Sequence, residues 1–237
     1  MKCPLRPTGL EVGLPPPPNP LWVYHITAIP NLRRIVVDQA LYPKSRLETL
    51  GQGHVNIAYQ GAQGRRASKI VPLDPGGTIH DYVPFYFAPR SPMLFTINNG
   101  NVPDCPYRQE DIVHFIASAN DIIAEGFPYV FYDYNATLDI ATPHNDLASL
   151  PNIDWPIFFE DPRIDGYCRY WHSVRDKPRY VLRMETRQAE FLIHGAVPLR
   201  LMLGVGTCNE AKANEVRAIF AAANVQCAVK AKPGWYY

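Results

Sequence analysis

A chain of 237 residues, 47% hydrophobic and 19% charged, has the balance of a soluble globular protein and the length of one large domain or two small ones. A formal net charge of +1 excludes a polybasic protein that coats nucleic acid, and no run approaches the roughly 20 apolar residues of a membrane span. Five scattered cysteines without a CxxC pair indicate neither a disulfide framework nor a zinc site, and the seven histidines form no HExxH.

The charge is unevenly spread. Residues 1–70 carry nine Lys/Arg against three acids, residues 71–160 two against twelve, and residues 161–237 twelve against seven. An acidic middle between basic ends suits two basic walls around a cleft for a polyanion. The start, MKCPLRPTG, lacks a signal-peptide core, so cytoplasmic residence is expected.

Residues 1–20 contain LPPPPNP and few large apolar groups, which reads as a flexible proline-rich leader before a domain spanning 21–237. LWVYHIT (21–27) has strand character, and Asn31 starts a helical pattern with Leu32, Ile35 and Val36 on one face. Residues 43–78 are rich in Gly, Gln, Arg and Lys with weak periodicity, as in a long functional loop or an embedded short helix. HDYVPFYFAPRSPML (80–94) is a β-branched and aromatic run interrupted by Pro84. Proline removes a ladder donor, so an edge strand, or one breaking into a loop, is expected there.

DIVHFIA (111–117) predicts a strand, followed by a helix capped by Ser118 or Asn120 and stopped by Gly126. PYVFYD (128–133) is a third strand, and residues 134–180 are irregular. AEFLIHG (189–195) and LRLMLGV (199–205) read as adjacent strands. Asn209 to Asn224 is an amphipathic helix with Ala213, Val216, Ile219 and Phe220 inward, and VQCAVKA (225–231) closes the chain as a strand. Strands often follow one another without helical crossovers. The expected class is therefore a single mixed α+β domain, not a doubly wound sheet.

No GxGxxG, GxxxxGK[ST] or GxSxG occurs, which leaves a Rossmann site, a P-loop and a serine hydrolase without support. What remains is a sparse polar set on or beside strands. Glu190 enters an otherwise apolar strand and needs a cation or hydrogen bonds; a strand-end ion pair with Arg187 is the simplest structural reading. Gln188 leaves the same strand face. His25 and Thr27 share a face of the first strand and are either core groups or donors to a ligand oxygen. Arg65 and Arg66, in GRRASK, are either solvated or a fork for phosphate. Arg163, Arg169 and Arg175, interleaved with Tyr170 and Trp171, are either a solvated loop or a face for single-stranded nucleic acid.

YHITAIPNL, NIAYQGAQGRRASKIV, HDYVPFYFAPRSPML, NIDWP and RQAEFLI occur in the order seen in DarT, the DNA ADP-ribosyltransferase toxins of bacterial toxin–antitoxin pairs, and the chain resembles that family from about Pro20 to about Phe220. The resemblance implies a split, twisted mixed sheet gripping NAD, with transfer of ADP-ribose to a base of single-stranded DNA. It places the catalytic glutamate on Glu190 and the essential arginine on Arg65 or Arg66. His25 and Thr27 then contact NAD, while Tyr82, Tyr86, Phe87 and Met93 wall the nicotinamide side. Arg187, in the flank upstream of Glu190, joins the DNA-engaging set. No metal is implied; an antitoxin ADP-ribosylglycohydrolase is. Many relatives carry TDGHA where this chain reads VFYDYNATLD, and one branch modifies guanine, so the base is thymine or guanine. Two other functions remain: the same NAD chemistry on RNA, protein or water, and a non-enzymatic single-stranded nucleic-acid binding module.

Overall fold

The computed structural model describes residues 16–51, 53–160, 173 and 177–237. The leader up to residue 15 and the proposed DNA-facing Arg163, Arg169, Tyr170, Trp171 and Arg175 lie outside the described residues.

The first strand, β1 (Trp22–Ala28), runs through a 3-10 turn into α1 (Leu32–Asp38), which buries Leu32 and Val36. Gln39, in the left-handed region at φ 53°, ends that helix and leads into the short β2 (Ala40–Leu41). Residues 43–78 hold two helices, α2 (Lys44–Thr49) and α3 (Gln60–Ser68). Neither buries a residue fully, so neither has the apolar stripe that marks a helix in sequence. α3 is held instead by polar contacts from its inner side, described below.

β3 (Tyr82–Tyr86) follows, then α4 (Pro92–Asn98), whose Ser91 cap accepts from the Leu94 amide. β4 (Ile112–Ser118) runs directly into α5 (Ala119–Ala124), capped by Ser118. After β5 (Tyr129–Tyr132), the expected irregular stretch contains β6 (Pro143–His144), a 3-10 turn and α6 (Pro156–Phe159). Trp155 of the NIDWP motif is a core residue; its indole N–H donates to the Leu150 carbonyl at 2.9 Å. α7 (Arg183–Thr186) leads into β7 (Glu190–His194) and β8 (Val197–Pro198). β9 (Met202–Thr207), α8 (Glu210–Ala222) and β10 (Val229–Ala231) complete the chain.

Among the described residues, eight strands form one sheet in the order β10-β9-β4-β1-β3-β7-β5-β6. All pairings are antiparallel except β9 with β10, which α8 connects as a crossover. Two expectations are corrected here. The runs at 189–195 and 199–205 are not neighbours: β7 lies between β3 and β5, whereas β9 lies between β4 and β10. Gly195, at φ 75°, turns the chain out after β7, and β8 pairs with β2 before the chain reaches β9.

The second correction concerns Pro84. β3 is an interior strand, paired with β7 over five residues from Tyr82↔His194 to Tyr86↔Glu190. Against β1, however, it pairs only at Tyr24↔Tyr86. The Pro84 carbonyl points to the β1 side, where it meets the His25 ring at 2.8 Å. The nitrogen of a residue in an antiparallel strand points to the same side as its carbonyl. The missing N–H therefore falls where β1 and β3 part, and no ladder bond is lost. The proline marks the split in the sheet.

Alternation then sorts the two faces. Val23, Phe85, Phe87, Phe115, Phe131 and Phe191 enter the main core, closed by α1 and α8. The other face carries two smaller clusters. One gathers Ile26, Ala28, Leu94, Ile97, Ile112 and Tyr236; the other gathers Val71, Ile79, Tyr82, Val130, Tyr132 and Leu192. The cleft lies between these clusters, over the split.

Candidate active site

Glu190 opens β7 on the cleft side, in one cross-strand row with Tyr86 of β3 and Tyr132 of β5. Its side chain is only 2% exposed. Burying a carboxylate that deeply requires a paired cation. Arg66, in the last turn of α3, provides it: one guanidinium nitrogen donates to both carboxylate oxygens, at 2.9 and 2.8 Å. The simpler pairing with Arg187 does not occur. Arg187 is buried behind the strand, donating to the carbonyls of Ile157, Phe158 and Arg90, and burial pulls its pKa down to about 10.

The neighbouring phenols stay neutral. Burial first, and then the negative charge of Glu190, raise the Tyr86 hydroxyl far above its ordinary range. Burial and the nearby Tyr82 and Glu190 push Tyr132 up to about 12. Both rings thus act as apolar walls with polar tips. Tyr86 donates to the Met93 sulfur at 3.5 Å, fixing one corner of the cleft.

His25 sits at the split. A carbonyl only accepts, so the His25 nitrogen facing Pro84 carries the proton, and its other ring nitrogen is an acceptor. Burial lowers the His25 pKa, which keeps the ring neutral. Farther along the same strand face, the Thr27 hydroxyl accepts from Asn31 at 3.0 Å. Asn31 also donates to the Val55 carbonyl at 3.0 Å and accepts from the Val55 amide at 2.8 Å, clamping the 53–58 segment over the strand. On the facing wall, His80 bonds Gln63 of α3 at 2.9 Å, and burial lowers its pKa, with the Arg66 charge adding to the effect.

Two cavities of about 230 and 290 Å³ open along this cleft. They share His25, Gln63, Arg66, Pro84 and Met93, so they are two lobes of one elongated site. The first is lined by Thr27, Asn31, Arg34, Lys44, His54 and Tyr82; the second by Arg65, Tyr86, Asn135, Thr137, Gln188 and Glu190. Such a shape suits an extended, partly anionic ligand with a flat group at each end. Among the described residues, no cluster of His, Cys, Asp and Glu could hold a metal.

The fold therefore gathers Glu190, Arg65, Arg66, His25, Thr27, Tyr82, Tyr86 and Met93 around one cleft. It brings neither Phe87 nor Arg187, the latter expected among the DNA-engaging residues, to that cleft. Phe87 is one residue past Tyr86, and strand alternation sends it into the main core, edge-on to Trp155 at 5.2 Å between centroids. Sequence reasoning assigned no ligand-facing role to Asn31, Gln63, His80 or Asn135. The only signal was position: Asn31, Gln63 and His80 lie inside the YHITAIPNL, NIAYQGAQGRRASKIV and HDYVPFYFAPRSPML blocks, and Asn135 lies in VFYDYNATLD.

A family profile described as ssDNA thymidine ADP-ribosyltransferase, DarT, matches residues 24–237. A DNA ADP-ribosyl transferase of Thermus sp. (strain 2.9) is 36% identical over 208 residues, covering 85% of this chain and 88% of the relative. Two solved structures of Thermus sp. 2.9 DarT share the fold. One, in complex with ADP-ribosylated ssDNA, has a TM-score of 0.81 at 32% identity, covering 93% of this chain and 98% of the other. The second, in complex with NAD+, has a TM-score of 0.76 at 30% identity, covering 94% and 100%.

Proposed function

The chain belongs to the DarT family of DNA ADP-ribosyltransferases, and we propose that its two-lobed cleft binds NAD across the sheet split, with reaction beside Glu190. The enzyme transfers ADP-ribose from NAD to single-stranded DNA and releases nicotinamide. The observation that carries the residue assignment is a carboxylate buried to 2% and pinned by Arg66, beside the junction of the two lobes.

The chemistry follows from charge. The bond between the ribose anomeric carbon and the nicotinamide nitrogen breaks, its electron pair leaves with nicotinamide, and the ribose becomes oxocarbenium-like. Glu190, held in one rotamer by Arg66, places negative charge beside that cation and accepts from a ribose hydroxyl. In thymidine the only ring N–H is that of the imide, because the other ring nitrogen carries the deoxyribose. The imide nitrogen forms the new bond and its proton passes to solvent. A guanidinium stays protonated, so Arg66 is a holder of charge and not the proton acceptor. Arg65, exposed on the second lobe, is the phosphate contact. His25 and Thr27 hold NAD oxygens; Tyr86 and Met93 flank the nicotinamide, and Tyr82 walls the other lobe.

An unpaired base enters such a cleft at little unstacking cost, which favours single strands. The toxin–antitoxin pairing adds an ADP-ribosylglycohydrolase partner. Among the described residues no helix is long and apolar enough to cross a membrane; the use of NAD and DNA as substrates supports a cytoplasmic reading. The test is incubation with NAD and oligonucleotides that each contain one base type. A mass gain of one ADP-ribose on the thymidine oligonucleotide supports the proposal. Nicotinamide release without a DNA adduct points to another acceptor, and no NAD turnover points to a binding module.

A further inference from the structure

The second lobe of the cleft holds a hydrogen-bond chain whose direction is fixed at both ends. The Thr137 backbone N–H, which only donates, meets the Asn135 side chain at 3.0 Å, and the Thr137 hydroxyl meets the same atom at 2.7 Å. That atom is therefore the amide oxygen of Asn135. Its nitrogen then faces the Gln188 amide oxygen, at 3.1 Å. The Gln188 nitrogen in turn donates to the Met184 carbonyl, which only accepts, at 3.1 Å. Neither amide is free to flip without breaking the chain.

Each amide nitrogen has two hydrogens, and the chain uses one of each. Asn135, Thr137 and Gln188 are half-buried and line the lobe that contains Glu190, and Gln188 lies in the turn that enters β7, two residues before Glu190. Two amide nitrogens of fixed orientation, each with one N–H left over from the chain, therefore line the lobe that contains Glu190. A thymine imide N–H is flanked by two carbonyl oxygens. Guanine flanks its ring N–H with one carbonyl and one amine. Turned toward an amide donor, that amine leaves both donors unpaired, a desolvation cost that discriminates more strongly than a missing contact.

We propose that Asn135, oriented by Thr137 and seconded by Gln188, determines which base is modified, by donating to a carbonyl that flanks the attacking imide nitrogen. The same bond stabilises the negative charge that spreads onto that carbonyl as the imide loses its proton. This inference rests on the DNA-transferase reading above and assigns the base selection within it.

Three proteins decide it: the wild type, Asn135→Asp, which replaces the donor by an acceptor, and Asn135→Ser, which removes the amide. Each is incubated with NAD and with oligonucleotides whose single reactive base is thymine, guanine or cytosine. Adducts are read by mass, and nicotinamide release without DNA is followed in parallel. The wild type should prefer thymine. Both variants should lose roughly ten- to a hundredfold in thymine adduct, the worth of a hydrogen bond to a charged group. The fall in thymine adduct should exceed any fall in nicotinamide release to water at least tenfold, and Asn135→Asp should raise the guanine-to-thymine ratio at least tenfold. An unchanged base ratio in both variants overturns the proposal, as does a wild type that prefers guanine. Equal loss of adduct and of nicotinamide release in both variants also overturns it, because Asn135 is then merely structural. A wild type that releases nicotinamide but adds nothing to any oligonucleotide refutes the transferase reading instead.

Discussion

The two halves of the Glu190–Arg66 pair are not equivalent, and removing each should show it. Glu190 is 2% exposed and Arg66 14%, so the arginine can reach the open cleft while the carboxylate has nowhere to go. Arg66→Ala leaves a buried carboxylate without its cation, which costs about 3–5 kcal/mol. Glu190→Ala leaves a guanidinium that turns toward solvent, and the cost falls to about 1–2 kcal/mol. For a chain of this size the first corresponds to a drop in Tm of roughly 10 °C and the second to a few degrees. Activity should behave differently. Loss of the glutamate removes charge stabilisation of the ribose cation, about 4 kcal/mol or a thousandfold in rate, and Arg66→Ala should come close to it by releasing Glu190 from its rotamer. Thermal melts and the oligonucleotide mass assay measure the two effects separately. A Glu190→Ala protein less stable than Arg66→Ala would refute the asymmetry. Transfer above a tenth of wild type in Glu190→Ala would refute the catalytic assignment.

His114 is fully buried between the Pro89 carbonyl and the Tyr236 hydroxyl, and burial brings its pKa down to about 4. An unfolded histidine near 6.5 binds its proton first. Stability is thus complete above about pH 6.5 and falls by about 3 kcal/mol as pH drops toward 4. Denaturant titrations across that range should lose most of this slope in His114→Gln. Phe87→Ala should destabilise by about 3–5 kcal/mol, as a core deletion does, yet leave the KM for NAD unchanged when assayed well below its Tm. Asn31→Ala removes the bonds that clamp Val55 and hold Thr27. It should raise the KM for NAD about tenfold with kcat nearly constant, since the lost contacts hold substrate and transition state alike; a fall in kcat alone would exclude this positioning role.

The chain's order of strands and helices was largely legible in its sequence, because strand alternation and the stripe of α8 are local properties. The β1, β4, β5 and β7 runs fall where β-branched and aromatic residues cluster, and Ala213, Val216 and Phe220 face inward as their spacing predicts. Glu190 also stood out, as a charge in an otherwise apolar strand, whereas Arg65 and Arg66 read equally as solvated groups or as a phosphate fork. Pairing was not legible. A proline in a strand says only that one backbone donor is missing, and only the register between β1 and β3 reveals that the missing donor faces a gap inside the sheet. Which arginine meets Glu190 depends on an ion pair across 124 positions of sequence, made by a helix with no apolar stripe to announce it. The side of the sheet to which Phe87 turns, and the fixed direction of the Asn135 amide, follow from contacts between segments far apart in the chain. Residue type determined what chemistry was possible here; only the tertiary structure decided which groups share a space small and dry enough to perform it.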